Sequence, residues 1–268
     1  MRAPSGSRVA SLSETDPAAF VSENFGQAYP ALLVCDHASN AVPKLLAGLG
    51  LSDAALQRHI AWDVGAASLA RRLAQQLRLP WVSCGYSRLV IDCNRHLTDP
   101  SSILACSDSQ DVPGNLNLSA RQRAARAADI FLPYHAAIDA ALQRLAERVA
   151  APALIAIHSF TPVIGGSARP WHCGVLWDKD PRIAVPLLEA LRQQVGNQVG
   201  DNQPYSGRDS ADYTIGEHAE RRGWPHVCLE VRQDLLQDDA GVAQWTERLA
   251  APLAAILTNN KIYERMNY

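Results

Sequence analysis

Short apolar segments alternate along the chain with longer segments in which apolar residues recur every three or four positions. The clearest apolar segments are 31–37 (ALLVCDH), 153–160 (ALIAIHSF) and 226–235 (HVCLEVRQDL), and polar residues appear as each apolar stretch runs out. This pattern predicts buried strands of a sheet that is covered on both faces. Segments 81–94 (WVSCGYS and RLVIDCN) and 174–178 (GVLWD) are also predicted to be strands.

The segments with helical spacing predict helices between these strands. The helix at 52–77 is expected to begin after Ser52, a typical N-cap residue, and to break near Gly65. The helix at 118–149 contains Pro133, which is expected to kink or split it because proline lacks a backbone N–H donor. The remaining helices are predicted at 181–195, 213–223 and 240–260.

The order of these elements predicts the α/β class, with a single domain at 21–268 in which helices flank a mixed, mostly parallel sheet. Residues 1–20 are rich in Ser, Ala, Pro and Gly, and are expected to form a loose leader. Active sites of such sheets lie at the carboxyl ends of the strands. The polar residues near these ends are therefore the candidates for chemistry: Asp36, His37, Asp92, Asn94, Arg95, His158, Ser159, Glu230 and Arg232.

The composition is that of an ordinary soluble globular protein, since 47% of the 268 residues are hydrophobic, 19% are charged and the formal net charge is −2. The balance of 25 basic against 27 acidic residues argues against a nucleic-acid partner. No stretch approaches the roughly 18 uninterrupted apolar residues of a membrane span. The first residues also lack the apolar segment of a secretory signal, so a cytoplasmic location is expected.

His37 and His158 each follow apolar residues near the end of a predicted strand. A hydrogen-bonded core imidazole is the ordinary explanation for one such residue, but two beside acidic groups favour a metal site. Neutral imidazole is a common zinc ligand, and a catalytic zinc typically has three protein ligands. Asp63 is favoured as the third over Asn40, because a carboxylate binds zinc better than an amide oxygen does.

Two neighbours of these residues have more open roles. His59 lies one helical turn before Asp63 and could face the same metal, although an exposed or capping position is equally expected. Asp36 could instead orient one of the ligands by a hydrogen bond.

Glu230 lies among apolar residues, so its carboxylate must be paired, protonated or functional. Arg232 is two residues further along the same strand and faces the same side, so a structural ion pair is the simplest alternative. Beside water activated by zinc, Glu230 would act as a general base and then as proton donor to a leaving nitrogen, which suits the hydrolysis of an amide.

The segment YSRLVIDCNR carries four charged or amide side chains within ten residues: Arg88, Asp92, Asn94 and Arg95. If this strand is regular, Asp92, Asn94 and Arg88 share one face. Arginine binds carboxylates through two parallel hydrogen bonds, and a neighbouring amide adds a donor and an acceptor. Surface ion pairs would explain the charges, but polar residues within an apolar strand favour an anionic substrate.

The motifs CDHASN, HIAWD, YSRLVIDCNR, LPYH, AIHSF and HVCLEVRQDL, in this order over residues 35–235, resemble those of the N-formylglutamate amidohydrolases. The most specific is SRLVIDCNR, which matches the family pattern SR-x-V-I-D-x-N-R. The resemblance implies hydrolysis of N-formyl-L-glutamate, a small anionic N-acyl amino acid, to formate and glutamate. A more distant similarity to zinc carboxypeptidases implies a zinc-carboxypeptidase-like fold of the phosphorylase/hydrolase-like type.

The carboxypeptidase pattern implies zinc at His37 and His158, followed by Ser159, with carboxylate recognition at Asn94 and Arg95 and base catalysis at Glu230. Carboxypeptidases have a glutamate three residues after the first zinc histidine, where this chain has Asn40. The third ligand therefore stays open between Asn40 and Asp63, and another divalent metal is an alternative to zinc. His218, in a segment that also looks family-like, is a candidate substrate or oxyanion contact, whereas His135 of LPYH is expected to be structural.

Three functions are consistent with these residues. The first is a zinc amidohydrolase that cleaves N-formyl-L-glutamate, with Arg88, Asn94 and Arg95 binding the substrate carboxylates. The second keeps the metal but acts on another N-acyl amino acid or a short peptide. The third is a noncatalytic anion-binding relative that has lost its metal, which Asn40 in place of a carboxylate would explain.

Overall fold

The computed structural model describes residues 10–208 and 212–268. In these ranges the strands are β1 (Phe20–Asn24), β2 (Ala31–Cys35), β3 (Pro80–Cys84), β4 (Cys106–Ser107), β5 (Gln110–Asp111), β6 (Ala153–Phe160), β7 (Val163–Ile164), β8 (Ser167–Ala168), β9 (Cys173–Leu176), β10 (Val199–Asp201) and β11 (His226–Arg232). The α-helices of the same ranges are α1 (Asp53–Leu56), α2 (Ala66–Leu77), α3 (Ala120–Arg126), α4 (Leu132–Ala146), α5 (Pro181–Val195), α6 (Thr214–His218) and α7 (Asp239–Leu257).

Within the described residues, seven strands form one sheet in the order β1-β3-β2-β6-β11-β9-β10. The central strands β3, β2, β6 and β11 are parallel to one another. Strand β1 pairs antiparallel with β3 at one edge, and β9 pairs antiparallel with β11. The single α/β domain with a mixed, mostly parallel sheet was predicted, and the structure confirms it.

Hydrophobic side chains cover both faces of this sheet. In β2, Leu33 packs with α2, α5 and α7 on one face, whereas Leu32 and Val34 pack with α4 on the other face. Both faces are fully buried at these positions. Because neither face meets water, the strands read as continuous apolar segments rather than as an alternating pattern.

The predicted strand at 88–94 is wrong. Strand β3 ends at Cys84, and the chain then forms turns in which the backbone N–H groups of Arg88 and Asp92 donate to the carbonyls of Ala61 and Ser102. These bonds run to loops and not to a neighbouring strand, so the apolar residues are buried without belonging to the sheet.

The predicted helix at 52–77 is only partly correct, because α1 and α2 are separated by turns at 57–65. His59 and Asp63 both lie in these turns, so they are not one helical turn apart. Helix α2 begins after Gly65, where a break was expected. Gly65 has a positive φ of 81°, and a Cβ there would lie 2.5 Å from the Cβ of Leu236. The predicted helix at 118–149 is continuous across Pro133, because a π-helical segment at 127–131 joins α3 to α4. A widened turn of this kind accommodates the carbonyl that proline leaves without a donor.

Part of the expected leader packs against the domain. The buried Ser11 donates hydrogen bonds from its backbone N–H and its hydroxyl to Asp129 Oδ2, at 2.7 and 2.9 Å. Strand β1, which sequence patterning did not predict, begins at Phe20. Among the described residues, no helix combines the length and the apolar character needed to cross a lipid bilayer.

Candidate active site

Three neighbouring parallel strands bring polar side chains to one edge of the sheet. His37 follows β2, His158 lies near the end of β6, and Glu230 lies near the end of β11. His158 and Glu230 are direct partners in the pairing of β6 with β11. Asp63 reaches the same place from the loop between α1 and α2, where its backbone N–H donates to the carbonyl of His37 at 2.9 Å.

His37, Asp63 and His158 form a buried group whose ligand atoms all lie within 4.8 Å of one another. Asp63 Oδ2 lies 3.3 Å from Nδ1 of His37 and 2.9 Å from Nδ1 of His158. The two rings are 5.0 Å apart between centroids and nearly perpendicular, at 70°. Both imidazoles therefore direct the same type of nitrogen toward one carboxylate oxygen.

Each imidazole is held from behind by a second carboxylate. Nε2 of His37 lies 2.7 Å from Asp92 Oδ1, and Nε2 of His158 lies 3.1 Å from Asp36 Oδ2. Histidines that bind metals usually donate their other N–H to a carboxylate or carbonyl in this way. The role of Asp92 was not predicted, because no local pattern connects it to a histidine 55 residues earlier.

These contacts change the acidity of the groups. Burial alone would raise the pKa of Asp36, but the hydrogen bond and charge of His158 lower it to about 2. In the same manner, burial opposes ionisation of Asp63, but His37 and His158 bring its pKa below the ordinary value. Burial would lower the pKa of His158, whereas its bonds to Asp36 and Asp63 raise it well above the ordinary value.

Arg88 completes the charge balance of this group. Its guanidinium donates to Asp92 Oδ2 at 2.8 Å and lies 3.6 Å from Asp63 Oδ1. Three ionised aspartates, Asp36, Asp63 and Asp92, and the one guanidinium of Arg88 have a net charge of −2, which has to be balanced. Two protonated imidazoles would supply this balance, and so would one divalent cation between neutral imidazoles.

The donor set fits a zinc ion. Two imidazole nitrogens and one carboxylate oxygen are ligands that catalytic zinc sites use. Ligands at about 2.0–2.1 Å from a tetrahedral ion are about 3.3–3.4 Å from each other. His37 Nδ1 and Asp63 Oδ2 lie 3.3 Å apart, whereas His158 Nδ1 and Asp63 Oδ2 are closer, at 2.9 Å. Charge and donor type therefore agree with a zinc ion, and these three residues are the ones that would hold the metal.

Glu230 is buried beside this group. Glu230 is only 7% exposed, and among the described residues its Oε2 has no hydrogen-bond partner. Burial raises the pKa of Glu230 to about 8, although the charge of His158 opposes the shift. A carboxylate held in this state can accept and release a proton near neutral pH.

A cavity of about 140 Å³ connects the group formed by His37, Asp63 and His158 with the candidate anion-binding residues. Asn94 Oδ1 accepts the backbone N–H groups of Tyr213 and Thr214 at 3.0 and 2.9 Å, and Arg95 forms an ion pair with Asp212. Eight of the predicted site residues line this cavity: His37, Asp63, Arg88, Asn94, Arg95, His158, Ser159 and Glu230.

Two predicted site residues lie elsewhere. His218 is 1% exposed, and its ring nitrogens lie 2.9 Å from His135 Nδ1 and 3.0 Å from Asp139 Oδ1, so neither nitrogen is available to a substrate. Arg232 ends β11 and pairs with Asp234 in the following turn at 2.7 Å, rather than with Glu230.

The two alternative metal ligands are also engaged away from the centre. The amide nitrogen of Asn40 donates to the carbonyl of Leu56 at 3.0 Å. Nε2 of His59 lies 3.5 Å from Asp108, and its side chain is partly exposed. Asp63 thus supplies the third ligand-type atom of the group.

Sequence reasoning missed several residues that contact the site. Tyr205, Leu176 and Cys228 line the cavity, and the hydroxyls of Tyr134 and Thr214 donate to Asp36. Tyr134 lies in the LPYH motif, which was a usable signal. Cys228 lies in the family-like motif HVCLEVRQDL, whereas the local pattern around Tyr205, Leu176 and Thr214 does not distinguish them from core or loop residues.

The fold and this site define an α/β protein with a buried histidine and carboxylate centre of the type that metal-dependent hydrolases use. A family model for N-formylglutamate amidohydrolase matches residues 29–237. The chain belongs to the N-formylglutamate amidohydrolase family. It is therefore assigned as an amidohydrolase, a hydrolase that acts on amide bonds of a small substrate.

Several solved structures are similar to the chain, including one from Agrobacterium tumefaciens and one from Ralstonia eutropha. A gene product of Agrobacterium tumefaciens, known from its crystal structure, is 32% identical in sequence to this chain, with a TM-score of 0.87. The match covers 94% of this chain and 99% of the Agrobacterium chain. The N-formylglutamate amidohydrolase from Ralstonia eutropha is 19% identical in sequence to this chain, with a TM-score of 0.70. The match covers 91% of this chain and 99% of the Ralstonia chain. Among curated proteins, none matches this sequence.

Proposed function

We propose that this amidohydrolase cleaves the amide bond between the acyl group and the nitrogen of N-formyl-L-glutamate, or of a closely similar N-acyl amino acid. The products are a carboxylic acid and an amino acid. The observation that carries the proposal is one small cavity in which the His37, Asp63 and His158 group lies beside Glu230, a carboxylate whose Oε2 has no partner among the described residues. Family membership supports the same reaction class.

His37, Asp63 and His158 would hold a divalent metal, for which zinc is the best match to two nitrogens and one carboxylate. When bound, such an ion supplies Lewis acidity that polarises an acyl oxygen and makes water more acidic. The alternative of a relative that lost its metal depended on Asn40 as the third ligand. The hydrogen bond from the Asn40 amide to the Leu56 carbonyl, and the position of Asp63 beside His37 and His158, support Asp63 as the proposed third ligand.

Glu230 is the proposed proton carrier. Its carboxylate accepts a proton from the attacking water and returns it to the leaving nitrogen, so that no free amide anion has to leave. Burial suits this role, because the raised pKa of Glu230, about 8, keeps proton acceptance and release close in free energy near neutral pH.

Asn94 and Arg95 are the proposed contacts of the substrate carboxylates. The Asn94 oxygen is used by two backbone N–H groups, which leaves its amide nitrogen as the donor for a ligand. Arg95 is partly exposed and borders the same cavity. Arg88 is engaged by Asp92, so it orients the metal group as well as contributing positive charge.

The test is release of formate from N-formyl-L-glutamate by protein of measured metal content. N-acetyl-L-glutamate tests the size of the acyl group, and N-formyl-L-leucine tests the need for a second carboxylate. Turnover restricted to formyl or acetyl derivatives of acidic amino acids is expected. A folded, zinc-loaded protein that releases no formate would refute the substrate assignment, and faster cleavage of N-formyl-L-leucine would refute the role given to Arg95.

A further inference from the structure

Two segments lie directly behind the candidate metal centre: the LPYH motif in α4, and residues 212–218, which contain α6. They meet at Asp36, a fully buried carboxylate. Asp36 Oδ1 accepts hydrogen bonds from the Tyr134 hydroxyl at 2.9 Å and from the Thr214 hydroxyl at 2.6 Å. Its other oxygen, Oδ2, is the one that lies 3.1 Å from Nε2 of His158.

Through these hydrogen bonds, α6 helps to determine the orientation of His158. With Oδ1 held by two hydroxyls, the carboxylate of Asp36 cannot rotate without breaking a buried hydrogen bond. The direction of Oδ2 is then set, and the orientation of the His158 ring follows from it. Thr214 therefore acts on His158 although the two residues are not in contact through a hydrogen bond of their own.

Thr214 also reaches the other half of the cavity. Its backbone N–H donates to Asn94 Oδ1 at 2.9 Å, next to the parallel bond from Tyr213 at 3.0 Å. Two donors on one oxygen determine which way the carboxamide faces. The amide nitrogen of Asn94 is left for a ligand, so the same residue orients a proposed substrate contact.

The segment that carries Thr214 is anchored at its other end. His218 closes α6 and lies 2.9 Å from Nδ1 of His135, whose Nε2 lies 2.9 Å from the carbonyl of Cys93. Cys93 is the residue between Asp92 and Asn94. Helix α6 is thus tied to the turn that carries both residues, and Thr214 has little freedom to move relative to the site.

We propose that Thr214 is a positioning residue that holds the two halves of the site in register, with its hydroxyl orienting His158 through Asp36 and its backbone N–H orienting Asn94. This inference rests on the proposed function, because it takes His158 as a metal ligand and Asn94 as a substrate contact. The two roles of Thr214 can be tested separately, since a side-chain substitution removes the hydroxyl but keeps the backbone N–H.

Thr214→Val removes the hydroxyl with little change of shape, and Thr214→Ser restores it. The affinity of the metal-free full chain for Zn²⁺ is measured by competition with a chromophoric chelator. Loss of a direct partner of a metal ligand typically costs roughly 10- to 100-fold in affinity. Because Thr214 bonds the partner and not the ligand, we expect Thr214→Val to weaken zinc binding by about three- to tenfold, and Thr214→Ser to remain close to the wild-type affinity. At saturating zinc, the KM of Thr214→Val is expected to change by less than about threefold, because Asn94 keeps its partner.

Each outcome decides the role of Thr214. Wild-type zinc affinity in Thr214→Val, or an equal loss in Thr214→Ser, would show that the hydroxyl does not orient the ligand and would overturn the inference. If Thr214→Val does not fold, Thr214→Ala removes the same hydroxyl and keeps the backbone N–H, and an unchanged zinc affinity there overturns the inference equally.

The same measurements separate this inference from the proposed function. A wild-type chain that binds zinc but releases no formate refutes only the substrate, and the zinc affinities of the variants still decide the role of Thr214. A wild-type chain that binds no divalent cation refutes both.

Discussion

Replacement of Glu230 by glutamine tests the proposed chemistry most directly, because it removes a proton acceptor while keeping the size of the side chain. Among the described residues, Glu230 Oε2 has no hydrogen-bond partner that the substitution would leave unpaired. Loss of a general base costs about 10²- to 10⁴-fold in turnover. At about 1.36 kcal/mol per tenfold, the activation barrier is expected to rise by about 3–5 kcal/mol.

The same substitution is expected to lower activity but to increase the stability of the metal-free protein. Burial raises the pKa of Glu230 from its ordinary value of 4.5 to about 8 in the folded protein. The stability that this group contributes is complete below its unfolded pKa and is lost as pH rises through the folded pKa, because only the unfolded chain then ionises readily. The loss amounts to about 5 kcal/mol at most. Glutamine does not ionise, so metal-free Glu230→Gln should become increasingly more stable than wild type between about pH 5 and about pH 8.

The assay combines formate release, zinc affinity and urea unfolding of the metal-free protein at several pH values. Glu189→Gln on the exposed side of α5 is the matched control and should alter none of the three. Retention of more than about a tenth of wild-type turnover in Glu230→Gln would refute the proton-carrier role. A stability difference that does not grow with pH would refute the account of its buried carboxyl group.

Three further outcomes are expected. Asp63→Asn should weaken zinc binding by more than the roughly 10- to 100-fold typical of an outer partner, and chelator competition showing a smaller loss would contradict its place among the ligands. Arg95→Gln should raise KM about 10- to 100-fold with little change in kcat, as expected for a lost charged hydrogen bond of about 1.5–3 kcal/mol, and an unchanged KM in steady-state kinetics would exclude it from substrate binding. Burial, with the nearby His218, lowers the pKa of His135 to about 4, so the stability that this neutral imidazole contributes is present above about pH 6.5 and is lost as pH falls toward about 4. His135→Gln should therefore be less sensitive to acid than wild type, and urea midpoints that fall equally in both proteins would contradict this.

Some features of the fold follow from local pattern. Strand β6 spans the predicted residues 153–160, and α5 spans the predicted 181–195. Both are bounded by strong local signals, such as the N-cap Asp180 before the proline that begins α5. The segment 88–94 misled the prediction, because burial of apolar residues in a turn leaves the same sequence signal as burial in a strand.

The candidate site divides in the same way. His37, His158 and Glu230 could be selected from sequence, since each is a polar residue near the end of an apolar strand and parallel strands end at one edge. Asp63 required an argument from ligand chemistry. His218 and Arg232 were selected by resemblance or by strand periodicity, and neither signal reveals that a closer partner, Asp139 or Asp234, takes the side chain.

The amino-acid sequence by itself determined the α/β class, the strands that carry polar ends and the residue types of an amidohydrolase with a candidate metal site, because strand burial and side-chain chemistry are local properties. Only the tertiary structure decided that Asp92 holds His37, that Asp36 holds His158 and that Thr214 joins Asp36 to Asn94. Those pairs join residues 55, 122, 178 and 120 positions apart. Hydrogen bonds over such separations are set by how strands, turns and helices pack together, and no local pattern encodes them.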